Sequence, residues 1–70
     1  MTYREMSRKL KKLGCRETKH RTRGSHRKWF NPLTESATVI PDHGTNDMPI
    51  GTLRACIRQL GINWTDFKRA

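Results

Sequence analysis

Acidic and apolar residues are both scarce in this sequence. Only 6 Asp and Glu stand against 15 Lys and Arg, and hydrophobic residues fill 33% of the 70 positions. A chain so short and so poor in apolar residues buries only a thin core, and such small domains are marginally stable without a partner. We therefore expect one domain over residues 1–70 that gains stability from what it binds.

Long apolar runs are absent, and cysteine occurs only twice. No run approaches the roughly 20 residues that cross a bilayer, and the N-terminus lacks the apolar core of a signal peptide. These absences predict a cytoplasmic protein with no membrane contact. Two thiols in a reducing compartment usually stay reduced, and Cys15 and Cys56 each stand where a small apolar residue would serve. We therefore predict that both cysteines lie in the core.

Positive charge is concentrated in the first half of the chain. Residues 1–30 contain 11 basic and 2 acidic side chains, whereas residues 31–70 contain 4 of each. A basic field on one side of a protein indicates a polyanionic partner. It favours nucleic acid over an anionic membrane surface or an acidic protein. Lys11 and Lys12 are the first candidates for contact with phosphates, because the basic excess continues from them through residues 16–23.

Two amphipathic helices are predicted, one at each end of the chain. Thr2 and Glu5 match a capping box, and a helix over about residues 3–13 ends at Gly14. Pro49 suits the first turn of a second helix, which ends at Gly61. The apolar positions that recur at helical spacing are Tyr3, Met6, Leu10 and Leu13 in the first helix, and Ile50, Leu53, Ile57 and Leu60 in the second.

Three short strands are predicted between the helices, at residues 15–22, 25–31 and 37–40. Gly24 makes the first turn, and Pro41 stops the third strand. Thr65 and Asp66 are expected to cap one last turn through Lys68. The order α-β-β-β-α defines an α+β fold, in which a three-stranded antiparallel sheet carries both helices on one face. Alternation in the second strand puts His26, Lys28 and Phe30 on one face and Ser25, Arg27 and Trp29 on the other, without indicating which face is buried.

The stretch from 23 to 30 is the strongest candidate for chemistry. His26 is the candidate catalytic residue, because an imidazole titrates near neutral pH and can take a proton from one oxygen and return it to another. Arg23, Arg27 and Lys28 are cations that can hold a phosphate, and Ser25 can donate a hydroxyl. Together these residue types suggest chemistry on a phosphodiester.

The sequence supports a catalytic role for the other two histidines less strongly. His43, in a loop after the third strand, is an auxiliary candidate as second proton carrier, with a plain backbone-bonding role as the alternative. His20 has no supporting motif. A zinc site is conceivable from ligand type alone, but the chain lacks the close ligand pairs of known zinc motifs, so we predict no metal site. The candidate ligands would be Cys15, His20, His26, His43 and Cys56.

Four segments resemble the HicA (YcfA-like) mRNA interferase toxins. They are Gly-Ser-His at 24–26, Val-Ile-Pro-Asp-His-Gly at 39–44, Pro-Ile-Gly-Thr-Leu-Arg at 49–54 and Ile-Arg-Gln-Leu-Gly-Ile at 57–62. The resemblance implies a fold similar to the double-stranded-RNA-binding domain, cleavage of RNA by His26, and a HicB antitoxin that covers and blocks the toxin. For such cleavage we expect attack by the ribose 2′-hydroxyl on the adjacent phosphorus, with His26 as general base or acid and with no metal or cofactor.

Two other classes of function stay open at this point. A binding module of the same fold would clamp duplex RNA without cutting it, although the start of the last helix lacks the lysine cluster usual in such domains. A small basic adaptor for an acidic protein would explain the charge, but it would give His26 no task.

Overall fold

The computed structural model describes residues 1–18 and 26–70, and within these residues it contains three helices and three strands. In chain order the elements are α1 (Tyr3–Lys12), β1 (Arg16–Glu17), β2 (His26–Asn31), β3 (Ser36–Pro41), α2 (Ile50–Gln59) and α3 (Trp64–Arg69). The predicted α-β-β-β-α order and the α+β class are confirmed.

Local signals in the sequence account for the ends of α1. The Thr2 side chain accepts a hydrogen bond from the Glu5 backbone N–H at 3.3 Å, and the Glu5 carboxylate accepts one from the Thr2 N–H at 3.3 Å. This reciprocal pair satisfies two backbone donors that would otherwise lack partners in the first turn. Gly14 follows the helix with a φ of 89°, a conformation that an L side chain disfavours. The predicted first helix is confirmed.

The three strands form one antiparallel sheet in the order β1-β2-β3. His26 lies opposite Pro41 at one end of the β2–β3 pair, and Asn31 lies opposite Ser36 at the other. The described part of β1 is short, and its Arg16 lies opposite Phe30. The predicted first strand extended over residues 15–22, of which 19–22 lie outside the described residues.

Burial in β2 shows which sheet face meets the helices. Trp29 is 0% exposed, and Ile40 on β3 is equally buried, so the face that carries Arg27, Trp29 and Asn31 points inward. The core beneath it also includes Cys15 and Cys56, both free thiols, as predicted. Its helical members are Met6 and Leu10 of α1, Leu53 and Ile57 of α2, and Phe67 of α3.

The turn between β2 and β3 is fastened to the end of α2. The Leu60 carbonyl accepts hydrogen bonds from the Asn31 side-chain amide and from the Thr34 hydroxyl, each at 2.8 Å. Asn31 is buried, so these bonds satisfy an amide that would be costly to leave unpaired. Gly61 follows with a φ of 71° and lies directly against Thr34. These two hydrogen bonds to the Leu60 carbonyl, which we call the clamp, hold the sheet against the end of α2.

The last helix corrects one detail of the sequence interpretation. We expected Thr65 and Asp66 to supply the cap, but the Asn63 side chain accepts the backbone N–H bonds of both, at 2.8 Å and 3.4 Å. Asparagine is among the strongest N-cap residues, and the helix therefore starts earlier, at Trp64. Within residues 1–18 and 26–70, the structure contains no helix with the length and apolar character needed to span a membrane.

Candidate functional site

His26 lies at the start of β2 on the face of the sheet that points away from the helices. Its side chain is exposed, because the strand alternates and Trp29 takes the inward position. Lys28 and Phe30 follow at the next two outward positions, and both are half-buried. The structure therefore brings the candidate histidine and one candidate phosphate ligand together on one surface.

We define the open face as the outward positions of the described strands. Its residues are Arg16 of β1, His26, Lys28 and Phe30 of β2, and Ala37, Val39 and Pro41 of β3. None of these described positions carries a carboxylate, so the face is cationic beside the histidine. A cationic surface with an exposed imidazole suits a phosphodiester, since the cations stabilise charge on the phosphate while the imidazole moves protons.

Arg27 lies on the opposite side of β2 from His26. Its Nε donates to Asp42 Oδ2 at 3.1 Å, and its Nη1 donates to Glu17 Oε2 at 3.3 Å. The hydrogen bond to Asp42, together with the hydrogen bond and charge of Glu17, raises the pKa of Arg27. Two carboxylates balance the charge of this guanidinium. Arg27 therefore connects β1 with the loop after β3, and its role as a phosphate ligand stays a prediction.

His43 is exposed in the loop that follows β3. Asp42 shapes this loop, because its Oδ1 accepts the Gly44 N–H at 3.1 Å while its Oδ2 is bound to Arg27. His26 is paired with Pro41, and only one residue separates Pro41 from His43 in the chain. The backbone therefore places both histidines at the same end of the sheet.

Lys11 and Lys12 lie on a different surface from His26. They are exposed on the solvent side of α1, in the helical layer that covers the inward face of the sheet. With Arg4, Glu5 and Arg8 they line a shallow groove. The structure thus separates the predicted RNA contacts into one surface on α1 and another around Lys28.

Several predicted positions lie outside the described residues. They are His20, Arg23, Gly24 and Ser25. Within residues 1–18 and 26–70, no three His, Cys, Asp or Glu side chains come together in a group that could hold a metal ion.

Sequence reasoning missed the pairing of Arg16 with Phe30. The Arg16 guanidinium carbon lies 5.5 Å from the centre of the Phe30 ring, across the β1–β2 pair. The signal in the sequence for this pair is strand alternation, which places Phe30 on the same face as His26 and Lys28. The register of β1, which brings Arg16 to it, has no signature in the sequence.

Fold and site together define a small basic α+β protein whose exposed histidine lies on a cationic sheet face. A family model described as HicA toxin of bacterial toxin-antitoxin matches residues 3–62, which is most of the chain. The chain therefore belongs to the HicA toxin family, whose members act with an antitoxin partner. Searches of curated proteins and of solved structures find no match.

Proposed function

We propose that this toxin is an endoribonuclease that cuts mRNA by an intramolecular transesterification, which needs no metal ion. The 2′-hydroxyl loses its proton and attacks the adjacent phosphorus, and the bond from that phosphorus to the 5′-oxygen of the next nucleotide breaks. The leaving oxygen takes a proton, so the products are a 2′,3′-cyclic phosphate and a free 5′-hydroxyl. His26 serves as general base or general acid in this step.

The position of His26 on the open face is the observation that carries this proposal. The histidine is exposed where an RNA backbone can reach it, and Lys28 supplies a cation at the next outward position. Charge that builds on the phosphate oxygens in the transition state is stabilised by such a cation. Membership of the HicA family and the Gly-Ser-His sequence at 24–26 support the same role.

The experiment compares the wild-type protein with His26→Ala on a single-stranded RNA in EDTA. Loss of a general acid or base lowers rates by about 10²- to 10⁴-fold, so we expect cleavage to fall by that factor. The fold should survive, because His26 contributes an exposed side chain and no core packing. Circular dichroism and the melting temperature check this point. A folded variant that cuts within a few-fold of wild type contradicts the assignment, and tight binding without any wild-type cleavage favours the non-catalytic binding module.

We further propose a HicB-type antitoxin as the partner, in the cytoplasm, with acidic side chains that meet the open face. A ribonuclease acting on the host's own mRNA has to be restrained, and a thin core gains stability from a partner that binds only the folded state. The test is to co-express the chain with small acidic proteins encoded beside it, purify the complex and assay RNA cleavage. A tight complex that cuts at the free rate contradicts masking of His26.

A further inference from the structure

Phe30 is an aromatic side chain on a cationic surface, at the far end of β2 from His26. Trp29, its neighbour in the chain, is fully buried, whereas the ring of Phe30 is only half-buried and has Ala37 opposite it on β3. Ala37 is exposed and contributes only a methyl group, and Phe30 is neither in the core cluster nor among the hydrophobic residues packed against it. Core packing therefore does not account for an aromatic residue at this position.

The spacing of outward positions puts Phe30 within reach of an RNA bound at His26. A strand rises about 3.3 Å per residue, so His26 and Phe30 are roughly 13 Å apart along β2, with Lys28 midway. That distance corresponds to a few nucleotides. Arg16 reaches over the same ring from β1, at 5.5 Å from its centre.

We propose that Phe30 and Arg16 form a base-binding subsite, in which an unpaired nucleobase stacks a few nucleotides from the phosphate that is cut. Every base has a π-face, and aromatic rings and guanidinium planes both stack on it. Lys28 then holds a phosphate between the subsite and His26. The inference rests on the proposed function, because only an RNA that must reach His26 is obliged to cross the open face.

The charge of the open face suits RNA. Arg16 and Lys28 are cationic and none of the described outward positions carries a carboxylate, so a phosphate backbone meets no like charge there. In an A-form duplex the bases are stacked on each other and present no free face, so the subsite selects single-stranded RNA.

Binding is measured in the His26→Ala background, so that the RNA is not cut. The first comparison is an oligouridine against a ribose-phosphate strand of equal length and charge that lacks bases. Loss of stacking on one base lowers affinity by roughly 5- to 150-fold, so we expect the abasic strand to bind more weakly by a factor in this range. An abasic strand that binds as tightly as oligouridine overturns the subsite.

The second comparison replaces the ring itself. Phe30→Leu should weaken oligouridine binding in the same range, and Phe30→Trp should preserve it. The slope of log affinity against log salt should not change in either variant, whereas Lys28→Gln should lower it by about 0.7, the value for one phosphate contact on a single strand. The matched control is Ile50→Ala, which removes an exposed apolar side chain from the helical layer and should leave binding unchanged.

Parallel assays with the wild-type histidine separate this inference from the nuclease proposal. Cleavage by wild type together with base-independent binding overturns the subsite alone. Base-dependent binding that needs Phe30, without cleavage by wild type, supports the subsite and overturns the nuclease proposal alone. A Phe30→Leu variant that binds RNA normally but releases the antitoxin would make this position a protein interface and overturn the subsite.

Discussion

Replacing Gly61 with alanine tests the clamp between the sheet and α2, and Gly14 provides a matched control. Both glycines have positive φ, 71° and 89°, so an alanine at either position is strained by about 1–2 kcal/mol. Part of that cost is offset, because alanine restricts the unfolded chain by about 0.4–1 kcal/mol. We therefore expect Gly14→Ala, whose new Cβ meets no described atom within 4 Å, to lose about 1 kcal/mol.

Gly61→Ala carries a second cost that Gly14→Ala lacks. Its Cβ would lie 2.8 Å from Cγ2 of Thr34, and Thr34 cannot withdraw without loosening its hydrogen bond to the Leu60 carbonyl. Overpacking of this kind costs about 1–3 kcal/mol, which brings the expected loss to about 2–4 kcal/mol. A domain of this size is stable by only about 3.5–10 kcal/mol, so the variant gives up a large share of its stability.

The assay is urea denaturation of both variants, with melting temperatures as a second readout. One kcal/mol shifts the melting temperature of so small a domain by about 4–8 °C, so the two variants should differ by at least that amount. Thr34→Ser removes the clashing methyl and keeps the hydroxyl, and it should recover part of the loss in Gly61→Ala but none in Gly14→Ala. Equal losses at both glycines, or no recovery with Thr34→Ser, would refute the steric reasoning.

Three further predictions concern titration, charge and catalysis. Burial raises the pKa of Cys15 and Cys56 above their ordinary value of 9.0, so their contribution to stability is complete below pH 9 and is lost as pH rises through the raised values. The midpoint of urea denaturation should fall as pH rises above 9, and it should fall less steeply in Cys56→Ala than in wild type. An equal pH dependence of the midpoint in both proteins would contradict this. Charge reversal at Lys11 and Lys12 should lower the salt slope of RNA binding, since the slope counts phosphate contacts, and an unchanged slope would exclude this surface of α1 from the interface. His43→Ala should slow cleavage by about 100-fold and remove one limb of the pH–rate profile, whereas a few-fold effect would leave His43 a loop residue.

The helices were predictable because their signals are local. The capping box at Thr2 and Glu5 and the repeated apolar spacing fix α1 within a short stretch, and both helices appear close to the predicted positions. The start of α3 was harder to predict, because Asn63 and Thr65 are both good N-cap residues and only the hydrogen bonds of the Asn63 side chain show which one caps the helix.

The site was only partly predictable, because its remaining features depend on contacts between distant segments. Alternation grouped His26 with Lys28, but the burial of Trp29 was needed to show that this group faces outward. The ion pairs of Arg27 could not be predicted, since nothing local reveals that Glu17 and Asp42 converge on it from two other segments.

The division of the sheet into a buried face and an open face bears on how this toxin can diverge. If the open face is the proposed binding surface, substitutions at Arg16, Ala37 or Val39 should alter what the protein binds while leaving the packing of Trp29 and Ile40 intact. Binding and folding would then be encoded at alternate positions of the same strands. On this proposal a toxin and its antitoxin can exchange one matched set of surface residues for another, and lineages can separate into pairs that no longer cross-neutralise, while the buried face stays the same.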